Sequence, residues 1–215
     1  MAQSPLEHIE DDGLHTPRVG PWAEEKYRIV ALYDTLFSTG MKNKWKRAYI
    51  DLYAGAGHAK IKGTNRIVRG SPLLALNVTD KFDKYVFCEK NRKCLSALKQ
   101  RVSRKLPNVA PEFISGDCNE KASEILGKIP EGMLSLCFID PFNIGLHFDT
   151  VRCLSKKRMD FLIVLPTGMD AHRNQERYFD QNNTRIARFL GKPDWRACKL
   201  PRQGDTVKGE LLASS

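Results

Sequence analysis

The sequence predicts an α/β protein with a doubly wound, mostly parallel sheet. Three observations carry this expectation. Strand-like and helix-like segments alternate five times along 215 residues. The segments MLSLCFID (133–140) and DFLIVLP (160–166) are apolar without a period of two, the pattern of strands covered by helices on both faces. Four acids also stand in succession at the ends of expected strands, on the rim where open parallel sheets take their ligands.

Along the chain, residues 1–20 carry Pro5, Gly13 and Pro17 among acids and read as a loose arm. Residues 21–200 read as a single α/β domain, and 201–215 as a loose tail. From Pro21 a helix is expected, because Trp22, Ile29, Leu32, Tyr33, Leu36 and Phe37 recur at near-helical spacing and Gly40 would stop it. That spacing assigns Trp22 to the core. AYIDLY (48–53) is a strand. SPLLALNV (71–78) is a helix capped by Ser71 with proline in its first turn. KYVFCE (84–89) and PEFISG (111–116) are strands, with a helix over 92–105 between them and another over 119–129. A short helix near 149–155 and a longer one over about 174–190 bracket the strand at 160–166. No convincing strand pair follows. The sheet is therefore expected to stop at five strands, leaving an open edge that a second copy would cover or that a hairpin of a longer protein would complete.

Composition narrows the class. With 41% apolar and 28% charged residues the chain reads as globular, and no apolar run approaches the ~20 residues needed to cross a bilayer. The start, MAQSPLEHIEDD, is not a signal peptide. Six cysteines include no CxxC pair, and Cys88 and Cys137 lie in apolar runs, as reduced buried thiols of a cytoplasmic protein do. No histidine spacing supports a metal site: His147 and His172 lack a partner, and His58 in its glycine turn reads as solvent-facing. Lys plus Arg exceed Asp plus Glu by 35 to 25, a formal charge of +10, which favours a polyanionic partner such as nucleic acid. Basic patches at 41–47 and 60–70 flank the glycine segment; the run at 90–105 reads as a solvated helix face. Trp22, Tyr27 and Trp45 beside the first patch would allow stacking on single strands.

The four rim acids are Asp51, Glu89, Asp117 and Asp140. Asp51 opens D-L-Y-A-G-A-G, in which Gly55 and Gly57 permit positive φ and close approach of a ligand. This is neither G-x-G-x-x-G nor a phosphate loop with lysine, and an acid there suits an amino-bearing ligand; a glycine turn that merely packs is the plain alternative. Glu89 can accept both hydroxyls of a ribose, or stand as a solvated acid beside Lys90. Asp117 can take a hydrogen bond from an adenine amino group, or simply cap the helix at 119. Asp140, Pro141, Phe142 and Asn143 place an acceptor, a fixed φ and a stacking ring within one turn. Such a set can hold a planar base with its exocyclic amine in line with an electrophilic methyl group. The alternative is a strand-ending Asx-Pro turn.

Taken together these segments resemble class I S-adenosylmethionine-dependent methyltransferases. More closely, YIDLYAGAG, GSPLLAL, YVFCEKN, SGDCNE, CFIDPFN and DFLIVLP resemble the three-Cys-motif partner protein family over residues 22–191. The resemblance implies a Rossmann-like sheet lacking its last two strands, with S-adenosylmethionine as cofactor. It implies Asp51, Gly55 and Gly57 at the methionine end, Glu89 at the ribose, Asp117 at the adenine, and Asp140, Pro141 and Phe142 as the catalytic set. One proline follows the acid where amino-methyltransferases usually carry two. The implied activity is methyl transfer to an amino group, on nucleic acid given the charge. A non-catalytic adaptor that binds a radical-type protein with clustered cysteines is the other function the resemblance implies.

Overall fold

The computed structural model describes residues 7–108, 110–165, 184–192, 195–199 and 210–214. Five strands form one parallel sheet: β2 (Arg47–Asp51), β5 (Lys84–Glu89), β6 (Glu112–Ser115), β7 (Leu134–Ile139) and β8 (Met159–Ile163). Their order is β6-β5-β2-β7-β8, and every pairing is parallel. β2, buried at all five positions, lies in the middle. The non-alternating apolar runs arise because both faces are covered. Tyr49, Phe87, Leu136 and Phe138 pack on one face against α1 (Ala23–Gly40), α2 (Ser71–Ala75) and α3 (Arg92–Lys105). Ile50, Val86, Cys137 and Ile139 pack on the other against α4 (Cys118–Gly127) and α5 (Phe148–Leu154). The arrangement is the doubly wound one expected. β8 pairs only with β7 among the described residues, and its Phe161, Leu162 and Ile163 remain partly exposed. No helix among the described residues is long and apolar enough to cross a membrane.

The structure corrects several expectations. Residues 8–20 are not loose. β1 (Arg18–Val19) pairs in parallel with β3 (His58–Ile61), which pairs with β4 (Ile67–Arg69), making a small second sheet. Arg101 of α3, fully buried, holds this arm through both carboxylate oxygens of Asp12 and through Thr16. Nothing in the sequence marks the hairpin β3–β4, because its cations read as a charged patch rather than as one face of a strand pair. His58 is buried rather than solvent-facing, with Nδ1 3.5 Å from Asp12 Oδ2. Helix α1 exists, but its apolar spacing marks the wrong face. Trp22, Ile29, Leu32, Tyr33 and Leu36 are exposed, while Val30, Asp34, Phe37 and Ser38 are buried. Apolar residues lie all around this helix, so periodicity alone does not select the core side. The N-cap of α2 is Gly70, not Ser71, and no side chain caps it.

Towards the end of the chain, α6 (Arg185–Leu190) covers part of the helix expected over 174–190; Asp170 and His172, which the sequence places after the strand at 160–166 towards the substrate side, lie outside the described residues. β9 (Trp195–Lys199) and β10 (Glu210–Ser214) form a separate antiparallel pair. A strand thus lies within 201–215, where a loose tail is expected, but it adds nothing to the five-stranded sheet.

Candidate active site

The chain runs outward from β2 to β5 and β6, then returns to β7 and β8. Strand order therefore reverses between β2 and β7, and ligands of open sheets bind beyond the carboxyl ends at such a point. Asp51 pairs in register with Phe138, so Asp51 and Asp140 end the two strands that flank the reversal. The parallel alternation of apolar strands and capped helices brings the other rim residues here as well. Asn91 caps α3 and Asp117 caps α4 through backbone N–H groups, fixing both helix starts on the same rim.

The turn after β2 is held from beneath. Gly55 and Gly57 have φ of 62° and 81°, a region costly for other residues. Gly55 N–H donates to Glu89 Oε2 at 2.7 Å, and Asn91 N–H donates to Oε1 of the same carboxylate at 2.7 Å. Gly70 N–H donates to Gly57 O at 2.8 Å, tying the turn to the start of α2. A Cβ at Gly57 would lie 2.9 Å from Leu98 Cδ1, so that glycine serves packing as well as dihedral freedom. A Cβ at Gly55 would meet nothing within 4 Å. The open space above Gly55 belongs to a cavity.

That cavity, about 380 Å³, is lined by Gly55, Gly57, Ser71, Lys26, Asp140 and Phe142 among others. Pro141 lies on the same wall, so five of the eight expected site residues share one cavity. Asp51 and Glu89 buttress it from behind. Asp51 is fully buried; its Oδ1 accepts from Tyr53 N–H at 3.1 Å, and the Ser71 hydroxyl faces the same carboxylate. Burial pushes its carboxyl up to about 7, against the opposing pull of the Ser71 hydroxyl and the Tyr53 N–H; the nearby charges of Asp140 and Glu89 add to the rise. Asp117 is not with the others. It caps α4, pairs with Lys90 Nζ at 3.0 Å, and borders a separate cavity of about 330 Å³ with Asn143 and His147.

Three features escape the sequence reading. Lys26 of α1 forms an ion pair with Asp140, and the two side chains are only 15% and 22% exposed. Its Nζ also lies 4.8 Å from the Tyr27 ring centroid, and burial first, then Asp140 and Asp51, pushes the Tyr27 phenol up. Nothing in the segment PWAEEKY marks Lys26 out, because its partner is 114 residues away. Ser71 faces the site instead of capping its helix. Asn119 fixes the loop after Asp140: its Nδ2 donates to Gly145 O at 2.8 Å, and its Oδ1 accepts from His147 N–H and the Thr150 hydroxyl. At the mouth, Phe142 is 83% exposed, with Trp22 and Leu165 also open.

No family model matches this chain, and no curated protein matches it. Solved structures do. Protein LPL1258 from Legionella pneumophila is 17% identical, with 76% of this chain and 71% of that chain covered at a TM-score of 0.51. An rRNA methylase from Streptococcus thermophilus is 12% identical, covering 84% and 91% at a TM-score of 0.41. A methyltransferase from Geobacter sulfurreducens is 11% identical, covering 83% and 75% at a TM-score of 0.41. The fold is Rossmann-like, doubly wound and mostly parallel. Among the described residues it resembles the class I methyltransferase fold without the terminal strands of the main sheet.

Proposed function

We propose that the chain binds S-adenosylmethionine and transfers its methyl group to an amino group, with nucleic acid as the acceptor class. One observation carries this reading: the glycine turn and the Asp140–Phe142 segment open into the same cavity at the strand-order reversal. Two features fit that cofactor in particular. The space over Gly55 admits a ligand against backbone, and the Asp51 carboxylate behind that turn supplies the negative charge that suits the amino group of its methionine end. Glu89, beneath Gly55, retains lone pairs for ribose hydroxyls. Asp117, the expected adenine partner, would act from the adjoining cavity.

When bound, the cofactor supplies an electrophilic methyl group on sulfonium. The protein's task is then to place a nitrogen lone pair in line with it. Asp140 would accept an N–H from the acceptor amine, and Phe142 would stack on the planar ring that carries it. An amine nitrogen already occupies that hydrogen-bonding position, since Lys26 Nζ sits on Asp140. Acceptor binding would exchange one nitrogen for another, and Lys26 would keep the carboxylate oriented until then. Incubation with radiolabelled S-adenosylmethionine and single-stranded oligonucleotides tests the reading. Label in the oligonucleotide, lost in Asp140→Ala with cofactor affinity retained, is the expected result. Absence of transfer to any polynucleotide or protein extract by a form that binds cofactor counts against it.

One observation favours a second reading, a methyltransferase-like adaptor. Ile29, Leu32, Tyr33 and Leu36 make an exposed apolar stripe on α1 at helical spacing, the kind of face that enters a partner's groove. In this reading the partner is a radical-type protein with clustered cysteines, and a second copy of the chain is the competing occupant. Light scattering, then capture with Leu32→Glu and Leu36→Glu as the negative control, separates these outcomes.

A further inference from the structure

We infer that the outer face of the small second sheet is a track for a single-stranded polynucleotide backbone, centred on Arg18, Lys60 and Lys62. The inference deepens the methyl-transfer reading by placing the acceptor's phosphates, and it rests on that reading only for what enters the main cavity.

The argument begins with which cations are neutralised. Patch 41–47 is largely cancelled: Lys42 pairs with Asp80, Lys46 with Asp83, and Arg47 is buried against Ser38 O and Lys81 O. It also leads into the amino end of β2, whereas the cavity lies past the carboxyl end of that strand. Patch 60–70 lies beside the cavity and divides in two. At the base of the hairpin the acidic arm covers the outer face: Glu7 faces Arg69, and Asp12 faces His58. Glu24 of α1 pairs with Arg66. Towards the turn no acid intervenes. Arg18, Lys60 and Lys62 have no ion-pair partner among the described residues.

Their spacing is ordered by the sheet. Arg18 and Lys60 are register partners across β1 and β3, so their side chains leave the same face as neighbours about 5 Å apart. Lys62 follows Lys60 at the i+2 position, about 6.6 Å along a strand direction. Lys62 is the first residue past β3, where the turn begins, and its N–H donates to Val19 O at 2.8 Å, which keeps it beside β1. Opposite residues Val19, Ala59, Ile61 and Val68 are packed against α1 and α2, which fixes the cationic face outward. A row of cations at this pitch matches successive phosphates of an extended single strand better than it matches one small anion. The turn, with Gly63 at φ of 80°, completes a cavity of about 280 Å³ lined by all three cations.

Continuity supplies the last element. Arg18 and Lys62 line both this cavity and the main one, where Trp22 and Phe142 are exposed at the mouth. Cations that follow a backbone, next to aromatic faces on which bases stack, form the general apparatus of single-strand binding. A phosphate on Arg18 or Lys62 would leave its base within reach of Phe142. An acidic protein segment offers charge but nothing planar for that ring.

The test uses the whole protein without methyl donor, so its outcome does not depend on methyl transfer. Anisotropy of a short labelled single-stranded oligonucleotide is read from about 50 to 200 mM salt. The triple variant Arg18→Gln, Lys60→Gln, Lys62→Gln should lower the log–log salt slope by about 2, at ~0.7 per lost phosphate contact. All three side chains are at least partly open to solvent, and circular dichroism confirms folding. The set Lys42→Gln, Lys44→Gln, Lys46→Gln should leave the slope unchanged. An unchanged slope in the first variant, or an equal fall in the second, overturns the proposal. So does competition by polyglutamate as effective as that by unlabelled oligonucleotide. If the slope falls as stated while S-adenosylmethionine fails to bind, the track stands and the methyl-transfer reading falls.

Discussion

Replacing Arg101 by methionine should unlatch the N-terminal arm from the glycine turn. The guanidinium is fully buried and donates to Asp12 Oδ2 and Oδ1 at 2.8 and 2.7 Å, to Thr16 Oγ1 at 2.8 Å, and to the carbonyls of Ala56, His15 and Leu14 at 2.6, 3.0 and 3.3 Å. Methionine keeps much of the apolar stem but strands Asp12 and three carbonyls. Adding about 1.5–3 kcal/mol per charge-assisted bond would overshoot, because the freed arm can lift away and rehydrate its groups. The better scale is the about 3–5 kcal/mol lost when one partner of a buried pair is removed. Arm release limits the loss to the lower end, about 3 kcal/mol. The pH dependence follows from Asp12, held at about 2 chiefly by its hydrogen bond from Arg101. A depressed carboxylate contributes stability above its unfolded value near 4, lost as pH falls towards 2. Asp12 is partly open to water, so screening leaves this contribution at about 1–2 kcal/mol. Urea denaturation at neutral pH and near pH 3, with limited proteolysis of residues 7–20, reads both effects. A loss under about 1 kcal/mol with the arm still protected would refute the latch.

Three other outcomes follow from the same geometry. Asp51, raised by burial to about 7, binds its proton more tightly in the folded state, so it should cost stability increasingly as pH rises from about 4 to 7. Asp51→Asn should flatten that slope in denaturation curves, a gain of up to about 4 kcal/mol at high pH. It should also abolish the roughly tenfold loss of cofactor affinity per unit below pH 7 expected of a site needing the carboxylate; equal pH profiles in both proteins would refute this. Gly57→Ala meets both positive φ and Leu98, whereas Gly55→Ala meets positive φ alone, so the first should lower the melting temperature more; the reverse order contradicts the packing argument. Asp34, buried in α1 with neither oxygen partnered among the described residues and its carboxyl pushed well up by desolvation, should be replaceable by leucine with a gain of about 1–3 kcal/mol in urea denaturation. A loss there would mean that Asp34 is held by something the protein needs.

The parallel core and the rim acids were legible because both are local signals. A buried strand reads as a run of apolar residues, and a rim residue is the one that ends it. What stayed hidden depends on distance or on faces. Lys26 meets Asp140 across 114 residues and Arg101 meets Asp12 across 89, with no local mark on Lys26, Arg101 or Asp12. The composition of residues 1–20 is that of a loop, and a single buried arginine decides that most of it is docked. Helix α1 was legible as a helix but not by its core side, because apolar residues lie all around it and its buried face includes Asp34 and Ser38. The hairpin β3–β4 alternates cations with apolar residues, and its charges read as a patch rather than as the outer face of a sheet. Asp117 shows the opposite case. Its capping role was visible in SGDCNE, and the structure confirms the cap while setting the residue on a neighbouring cavity.

Isothermal calorimetry with S-adenosylmethionine and its demethylated product tests the central claim most directly. The account predicts one site per chain, with affinity reduced at least tenfold in Glu89→Ala, whose carboxylate accepts from Gly55 N–H and, on this account, would take the ribose hydroxyls. The variant should keep its circular dichroism spectrum, since Glu89 is partly exposed at a strand end. Heat of binding that is absent at millimolar ligand from the folded protein, or present and unaltered by Glu89→Ala, would contradict it.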